Sequence, residues 1–130
     1  MDQELYAAAL AARKNAYAPY SKFQVGAAVR TVEGSIYCGC NVENASYGLT
    51  CCAERNAIFA AVAAGKHPAN LCVVADTQEP VAPCGACRQV MCEFAIKTVW
   101  LANCAGASQV MTVEELLPYS FGPDSLATKA

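Results

Sequence analysis

Little charge, a single histidine and no long apolar run set the first limits on this chain of 130 residues. Charged residues make up 15% of it, the formal net charge is -2, and the nine lysines and arginines gather nowhere into a patch or stripe. Binding a polyanion takes such a footprint, so nucleic acid is disfavoured as a partner and a small neutral molecule is expected. No stretch reaches the roughly 20 consecutive apolar residues that cross a bilayer, which speaks against a membrane span. The start, Met1-Asp2-Gln3-Glu4, is acidic where a secretory leader would be basic, so no leader is expected. His67, the one histidine, lies beside Pro68 after a helical segment and reads as a surface loop residue. Repeats, linkers and low-complexity segments are missing too, and one domain over residues 1–130 is expected.

What is abundant is apolar and sulfur-bearing. Hydrophobic residues make up 55% of the chain, and a domain of this size leaves much of its surface outside, so part of that excess is expected in subunit contacts. Cysteine occurs nine times, at 38, 40, 51, 52, 72, 84, 87, 92 and 104. An odd number without a leader argues against a disulfide framework and for a reducing compartment, here the cytoplasm. Cys38 and Cys40 alternate along a strand and read as packing on one face. Cys72, Cys92 and Cys104 lie in apolar contexts and read as core.

Three of the others form a constellation. Cys52-Ala53-Glu54-Arg55 is followed about thirty residues later by Pro83-Cys84-Gly85-Ala86-Cys87. One Cys plus a C-x-x-C supplies three ligands, the number found at catalytic zinc with its open fourth position, whereas a structural site takes four. Cys51 is a rival by adjacency, but would point to another face. Cys52 and Cys84 are expected at the N-termini of two helices, whose positive ends favour the thiolate that zinc requires. Cys87 follows Cys84 by three residues, which puts both sulfurs on one face of a first turn.

Glu54 is not needed as a ligand, and it stands where a proton shuttle for an activated water belongs. Ala53 is small and leaves room for a substrate beside the metal. Three thiolates around a divalent ion leave a net charge of -1, and Arg55 is expected to offset it through a hydrogen bond to the sulfur of Cys84 or Cys87. Thiolates suit iron as well as zinc, and one Zn2+ per subunit is the expected cofactor.

Along the chain, helical spacing of Leu5, Ala8, Ala9, Ala12 and Ala16 predicts a helix over 2–17 that Pro19 stops. Phe23–Thr31 and Ser35–Asn41 read as a hairpin turning at Glu33-Gly34, and Asn44–Thr50 as a loop. A helix over Cys52–Ala64 closes at Gly65. Then come a buried strand at Leu71–Asp76, a loop at Thr77–Pro83, a helix at Cys84–Phe94 and a strand at Thr98–Ala102. A short strand at Gln109–Thr112, a brief helix at Val113–Leu117 and a loop tail from Tyr119 finish the chain. Strands alternating with helices predict an α/β domain, a three-layer α/β/α sandwich whose opening hairpin makes the central sheet mixed.

The zinc deaminases of nucleobases carry H-x-E…P-C-x-x-C, with Cys allowed for the His. Here the pattern reads C-A-E…P-C-G-A-C. Tyr17-Ala18-Pro19-Tyr20-Ser21-Lys22-Phe23, Val25-Gly26-Ala27-Ala28, Asn41-Val42-Glu43-Asn44-Ala45 and Met111-Thr112-Val113-Glu114-Glu115-Leu116-Leu117-Pro118 extend the match over nearly the whole chain. The sequence resembles the small cytidine deaminases of the short, three-cysteine type. The resemblance implies conversion of cytidine and 2′-deoxycytidine to the uridines, as in pyrimidine salvage, with Glu54 as proton shuttle. It also implies that Asn41 and Glu43 hold the ribose 3′-hydroxyl and that Phe23 packs on the nucleoside. Family members of this type are homotetramers with shared pockets, and Phe121 matches an aromatic that closes over the base from another subunit. Two alternatives stand beside this reading. One is a deaminase of another aminopyrimidine nucleoside, such as blasticidin S. The other is a non-catalytic structural-zinc module with Cys51 or another thiol as fourth ligand.

Overall fold

The computed structural model describes residues 1–126, and the last four residues of the expected loop tail lie outside them. Asp2 starts helix α1 (Gln3–Arg13) by accepting the Leu5 amide on its carboxylate, satisfying one of the free N–H groups of the first turn. Glu4 in the first turn and Arg13 in the last complement the helix dipole. The helix stops at Arg13 rather than at 17 because the backbone of Tyr17 is claimed from elsewhere. Its N–H donates to the Asn41 carbonyl, and its carbonyl accepts from Glu43, both at 2.9 Å. Non-local pairing here overrides the helical spacing.

Five strands follow: β1 (Val25–Thr31), β2 (Ile36–Cys40), β3 (Pro68–Ala75), β4 (Thr98–Asn103) and β5 (Ser108–Met111). They form one sheet in the order β2-β1-β3-β4-β5. Only β3 and β4 run parallel; the other neighbours are antiparallel, so the sheet is mixed, as expected. Strand β3 starts three residues earlier than expected because Pro68, at a first strand position where no N–H is needed, pairs with Thr31. Strand β1 starts at Val25, not Phe23, since the polar groups of Phe23 bond side chains instead of a neighbouring strand. Thr112 is not the end of β5. It caps helix α4 (Val113–Leu116) in a reciprocal capping box with Glu115. Within the expected loops, Tyr47–Leu49 and Pro123–Leu126 form single 3-10 turns.

Strand alternation sorts the side chains onto two faces. Ala28, Cys72, Val74 and Ala102 pack under Leu5 and Ala9 of α1. Ala27, Val29, Leu71, Val73, Val99 and Leu101 face the opposite layer. That layer is helix α2 (Ala53–Ala63), with Ala57, Ile58 and Ala61 inward, and helix α3 (Gly85–Glu93), with Cys87 and Met91 inward. The three-layer α/β/α arrangement is therefore the observed one. Gly39 permits α2 to lie close on the sheet: a Cβ there would stand 2.4 Å from the Ala57 amide nitrogen. The seating fixes where the first turn of α2, with Cys52 and Glu54, meets the sheet. Cys72 is fully buried, but Cys92 and Cys104, expected in the core, are only half-buried. Cys92 sits under the turn around Ser120, 3.3 Å from its hydroxyl, and Cys104 borders the α1 face. His67 is exposed, as its position predicted.

Candidate active site

Cys52 and Cys84 occupy the N-cap positions of α2 and α3, so two helix N-termini converge at one point. The sulfurs of Cys52 and Cys84 are 3.6 Å apart, and those of Cys52, Cys84 and Cys87 all lie within 4.8 Å of one another. Zn–S bonds of about 2.3 Å at tetrahedral angles put sulfurs roughly 3.8 Å apart, so this spacing fits a three-thiolate zinc site. Among the described residues no other cluster offers three such ligand atoms. Cys51 stays out of it, because its backbone bridges Val42 by two 3.0 Å hydrogen bonds. Cys38 and Cys40 form no second site; the Cys38 thiol lies against the Ala8 carbonyl of α1.

The electrostatics of the cluster are those of a site prepared for a cation. A hydrogen bond from Cys87, helped by Arg55 and Cys84, pulls Cys52 well below the usual thiol range against the burial that raises it. Cys87 shifts upward, since it donates that bond and is fully buried. The Cys84 sulfur accepts the Cys87 amide at 3.5 Å. Arg55 donates from Nη2 to Cys52 at 3.5 Å, in addition to the expected contact with Cys87. The reason is local: Arg55 is three residues past the N-cap and reaches back over its own first turn. Cys87 is a further sulfur contact of the guanidinium, and its Nε is buried without a hydrogen-bond partner.

Glu54 is 5% exposed in the first turn of α2, and burial pushes its carboxyl up to about 7. It lines a cavity of about 280 Å³ together with Cys52, Cys84 and Ala53, which is fully buried. Phe23, Asn41 and Glu43 line the same cavity. The Asn41 amide is already engaged: its oxygen accepts the Val25 amide and its nitrogen donates to the Phe23 carbonyl, both at 2.8 Å. Glu43 accepts from the amides of Tyr20 and Ser21 at 3.0 and 3.1 Å, and from the Ser21 hydroxyl. Chiefly through that hydroxyl, the Glu43 carboxyl is held below its ordinary value.

Phe121 is 62% exposed and does not line this cavity; its carbonyl accepts from Gln89 Nε2 on α3 at 2.6 Å. Eight further lining residues were given no site role from the sequence: Val25, Val73, Ala75 and Ala102 on strands, and the loop residues Ser21, Thr50, Val81 and Ala82. The strand residues read only as core, and Thr50, Val81 and Ala82 are uncharged groups in loops, with no periodicity to reveal them. Ser21 lay in a motif segment without an assigned role.

Converging thiolates, a buried carboxylate beside them and an adjoining cavity define a zinc-hydrolase type of centre on an α/β/α scaffold. Residues 1–103 match the family model of the cytidine and deoxycytidylate deaminase zinc-binding region. The chain is 52% identical over 127 residues to a cytidine deaminase of Halalkalibacterium halodurans, covering 95% of this chain and 96% of that one. It is 49% identical over 131 residues to a cytidine deaminase of Sporosarcina psychrophila, covering 98% and 96%. The crystal structure of cytidine deaminase from Burkholderia pseudomallei superposes with a TM-score of 0.89 at 52% identity, covering 93% of this chain and 99% of that one. The chain belongs to the cytidine and deoxycytidylate deaminase family.

Proposed function

We propose that this protein is a zinc-dependent cytidine deaminase that hydrolyses cytidine and 2′-deoxycytidine to uridine and 2′-deoxyuridine with release of ammonia. The observation that carries the reading is Glu54, buried against Cys52, Cys84 and Cys87 at the inner wall of a cavity. Cys52, Cys84 and Cys87 would hold the zinc, which when bound supplies a Lewis acid that brings the pKa of a water toward neutrality. Glu54 accepts one proton of the attacking water and gives it to the ring nitrogen; it then takes the second from the hydroxyl now on the attacked carbon and passes it to the amine, which leaves as ammonia while that carbon becomes a carbonyl. Its burial keeps the proton in the pocket between these transfers. Ala53 leaves the space that the pyrimidine ring fills.

The cavity selects a nucleoside over its phosphate ester. Its lining includes two carboxylates, Glu43 and Glu54, and no lysine or arginine. A 5′-phosphate placed there would meet negative charge without a cation partner. Glu43 has about four acceptor positions, of which Tyr20 and Ser21 take three, leaving one for a ribose hydroxyl. Asn41 keeps one amide hydrogen for the same sugar. Phe23, 40% exposed at the rim, packs on the nucleoside.

The protein acts in pyrimidine salvage in the cytoplasm, as a homotetramer with shared sites. Exposed Tyr17, Tyr20, Tyr47, Leu49 and Phe121 supply the apolar surface such an assembly buries, and Phe121 closes a neighbour's pocket. The test is ammonia release from cytidine, 2′-deoxycytidine and cytidine 5′-phosphate by zinc-loaded protein. Turnover of the two nucleosides and not of the phosphate ester is expected. Turnover of none, by folded zinc-loaded protein, overturns the reading.

A further inference from the structure

Between α1 and β1 the chain makes a tight loop whose hydrogen bonds meet on one hydroxyl. Ser21 Oγ contacts the Glu43 carboxylate, and being that carboxylate's only possible proton source in the pair, it donates. The same oxygen accepts the Phe23 amide at 3.0 Å. On the other side of Phe23, Asn41 Nδ2 donates to its carbonyl at 2.8 Å. Glu43 in turn grips the loop through the Tyr20 and Ser21 amides. Between Ser21 and Phe23, Lys22 adopts a left-handed backbone with φ of 61°, a conformation unfavourable for a side chain with a Cβ and kept by these surrounding bonds. Ser21 and Glu43, with Thr50, border both the main cavity and the hollow beside Tyr20 and Tyr47.

We infer that Ser21 is a positioning residue for substrate binding: its hydroxyl ties the Glu43 carboxylate to the Phe23 main chain, so that the sugar-binding carboxylate and the ring are held in one arrangement at the cavity mouth. The inference rests on the proposed roles of Glu43 and Phe23 as substrate contacts. Ser21 does not touch the reacting atoms. It spends its single proton on one Glu43 oxygen, which leaves the remaining acceptor position aimed in a fixed direction, and its lone pair fixes the peptide that carries the ring. Without the hydroxyl, Glu43 keeps two amide donors but loses its lateral restraint, and the Phe23 amide loses its acceptor.

The experiment compares wild type, Ser21→Ala, Ser21→Thr and Glu43→Gln, all zinc-loaded, on cytidine and on 3′-deoxycytidine. Loss of a hydrogen bond to a charged group predicts a KM for cytidine about tenfold higher in Ser21→Ala, with kcat changed less than about twofold. Ser21→Thr, which keeps the hydroxyl, restores KM to within about threefold of wild type. The rise is smaller for 3′-deoxycytidine, which has no hydroxyl for Glu43 to hold. Zinc content stays unchanged. Equal rises for both substrates, or a fall in kcat with KM unchanged, would mean a merely structural loop residue and overturn the inference. If Glu43→Gln raises KM and Ser21→Ala does not, the inference fails while the reading of Glu43 stands. If Glu43→Gln leaves KM unchanged, both fall.

Discussion

Arg55 Nη2 stands 3.5 Å from the sulfur of Cys52, one turn along the same helix and on the buried side of the candidate metal site. A guanidinium in that position withdraws charge from the thiolates, which together outweigh a divalent ion by one unit. It is a fixed cation whose charge no accessible pH removes.

Replacing Arg55 with Gln therefore weakens the site in two ways at once. Sulfur charge is no longer offset, and Cys52 loses part of what holds it as a thiolate. Outer-shell partners of metal ligands are worth about 10–100-fold in metal affinity or activity. A loss of that size is expected in turnover or in chelator competition for zinc. Unchanged values in both would remove Arg55 from the account.

Acid inactivates the enzyme through Glu54. Burial raises its carboxyl to about 7, and a nearby divalent cation acts in the opposite direction by favouring the carboxylate. As general base it is needed ionised, so kcat/KM falls as pH drops through its value in the loaded protein, at or below about 7. A pH series of kcat/KM on cytidine checks this. A profile that shows no acid limb down to about pH 4, where an ordinary glutamate is already protonating, contradicts the assignment.

Much of this site was legible because its parts are close in sequence. Cys84 and Cys87 share a helix turn by spacing alone, and Glu54 follows Cys52 within another. The layers were legible for a similar reason: alternation along β1 sends Ala27 and Val29 to one face and Ala28 to the other. What escaped the reading depends on contacts between distant segments. The end of α1 is decided by Asn41, 24 residues beyond Tyr17, which takes its amide. Ser21 meets Glu43 across 22 residues. Arg55 reaches Cys52 as well as the expected Cys87, because it folds back over its own turn, which spacing alone does not specify. Half-burial of Cys92 and Cys104 depends on how the loops around Ser120 and at the end of β4 cover them, which an apolar neighbourhood in sequence does not specify.

The N-terminus is pinned by a charge cluster whose effect depends on pH. Arg30 Nε lies 2.7 Å from Asp2, and its Nη2 reaches Glu4 at 3.0 Å. The hydrogen bond from Arg30 is the main reason the Asp2 carboxyl is held below 3.8. A carboxyl lowered on folding stabilises fully above its unfolded value, and that contribution disappears as pH falls through the folded one. Asp2→Ala removes the ion pair and the helix cap, and is expected to lower stability by about 1 kcal/mol or more at neutral pH. The difference from wild type shrinks in acid, as pH falls through the lowered folded-state value. Urea unfolding midpoints at neutral pH and in acid check this; an equal difference at both contradicts it.

Whether Glu54 moves the proton is the claim on which the rest depends, and Glu54→Gln tests it most directly. The amide keeps the size of the side chain and removes its basicity. Cytidine turnover and bound zinc are measured together on wild type and variant. The account predicts that zinc and fold are retained while kcat drops by about 10²–10⁴-fold. A zinc-loaded Glu54→Gln protein that turns over cytidine within about tenfold of wild type contradicts it.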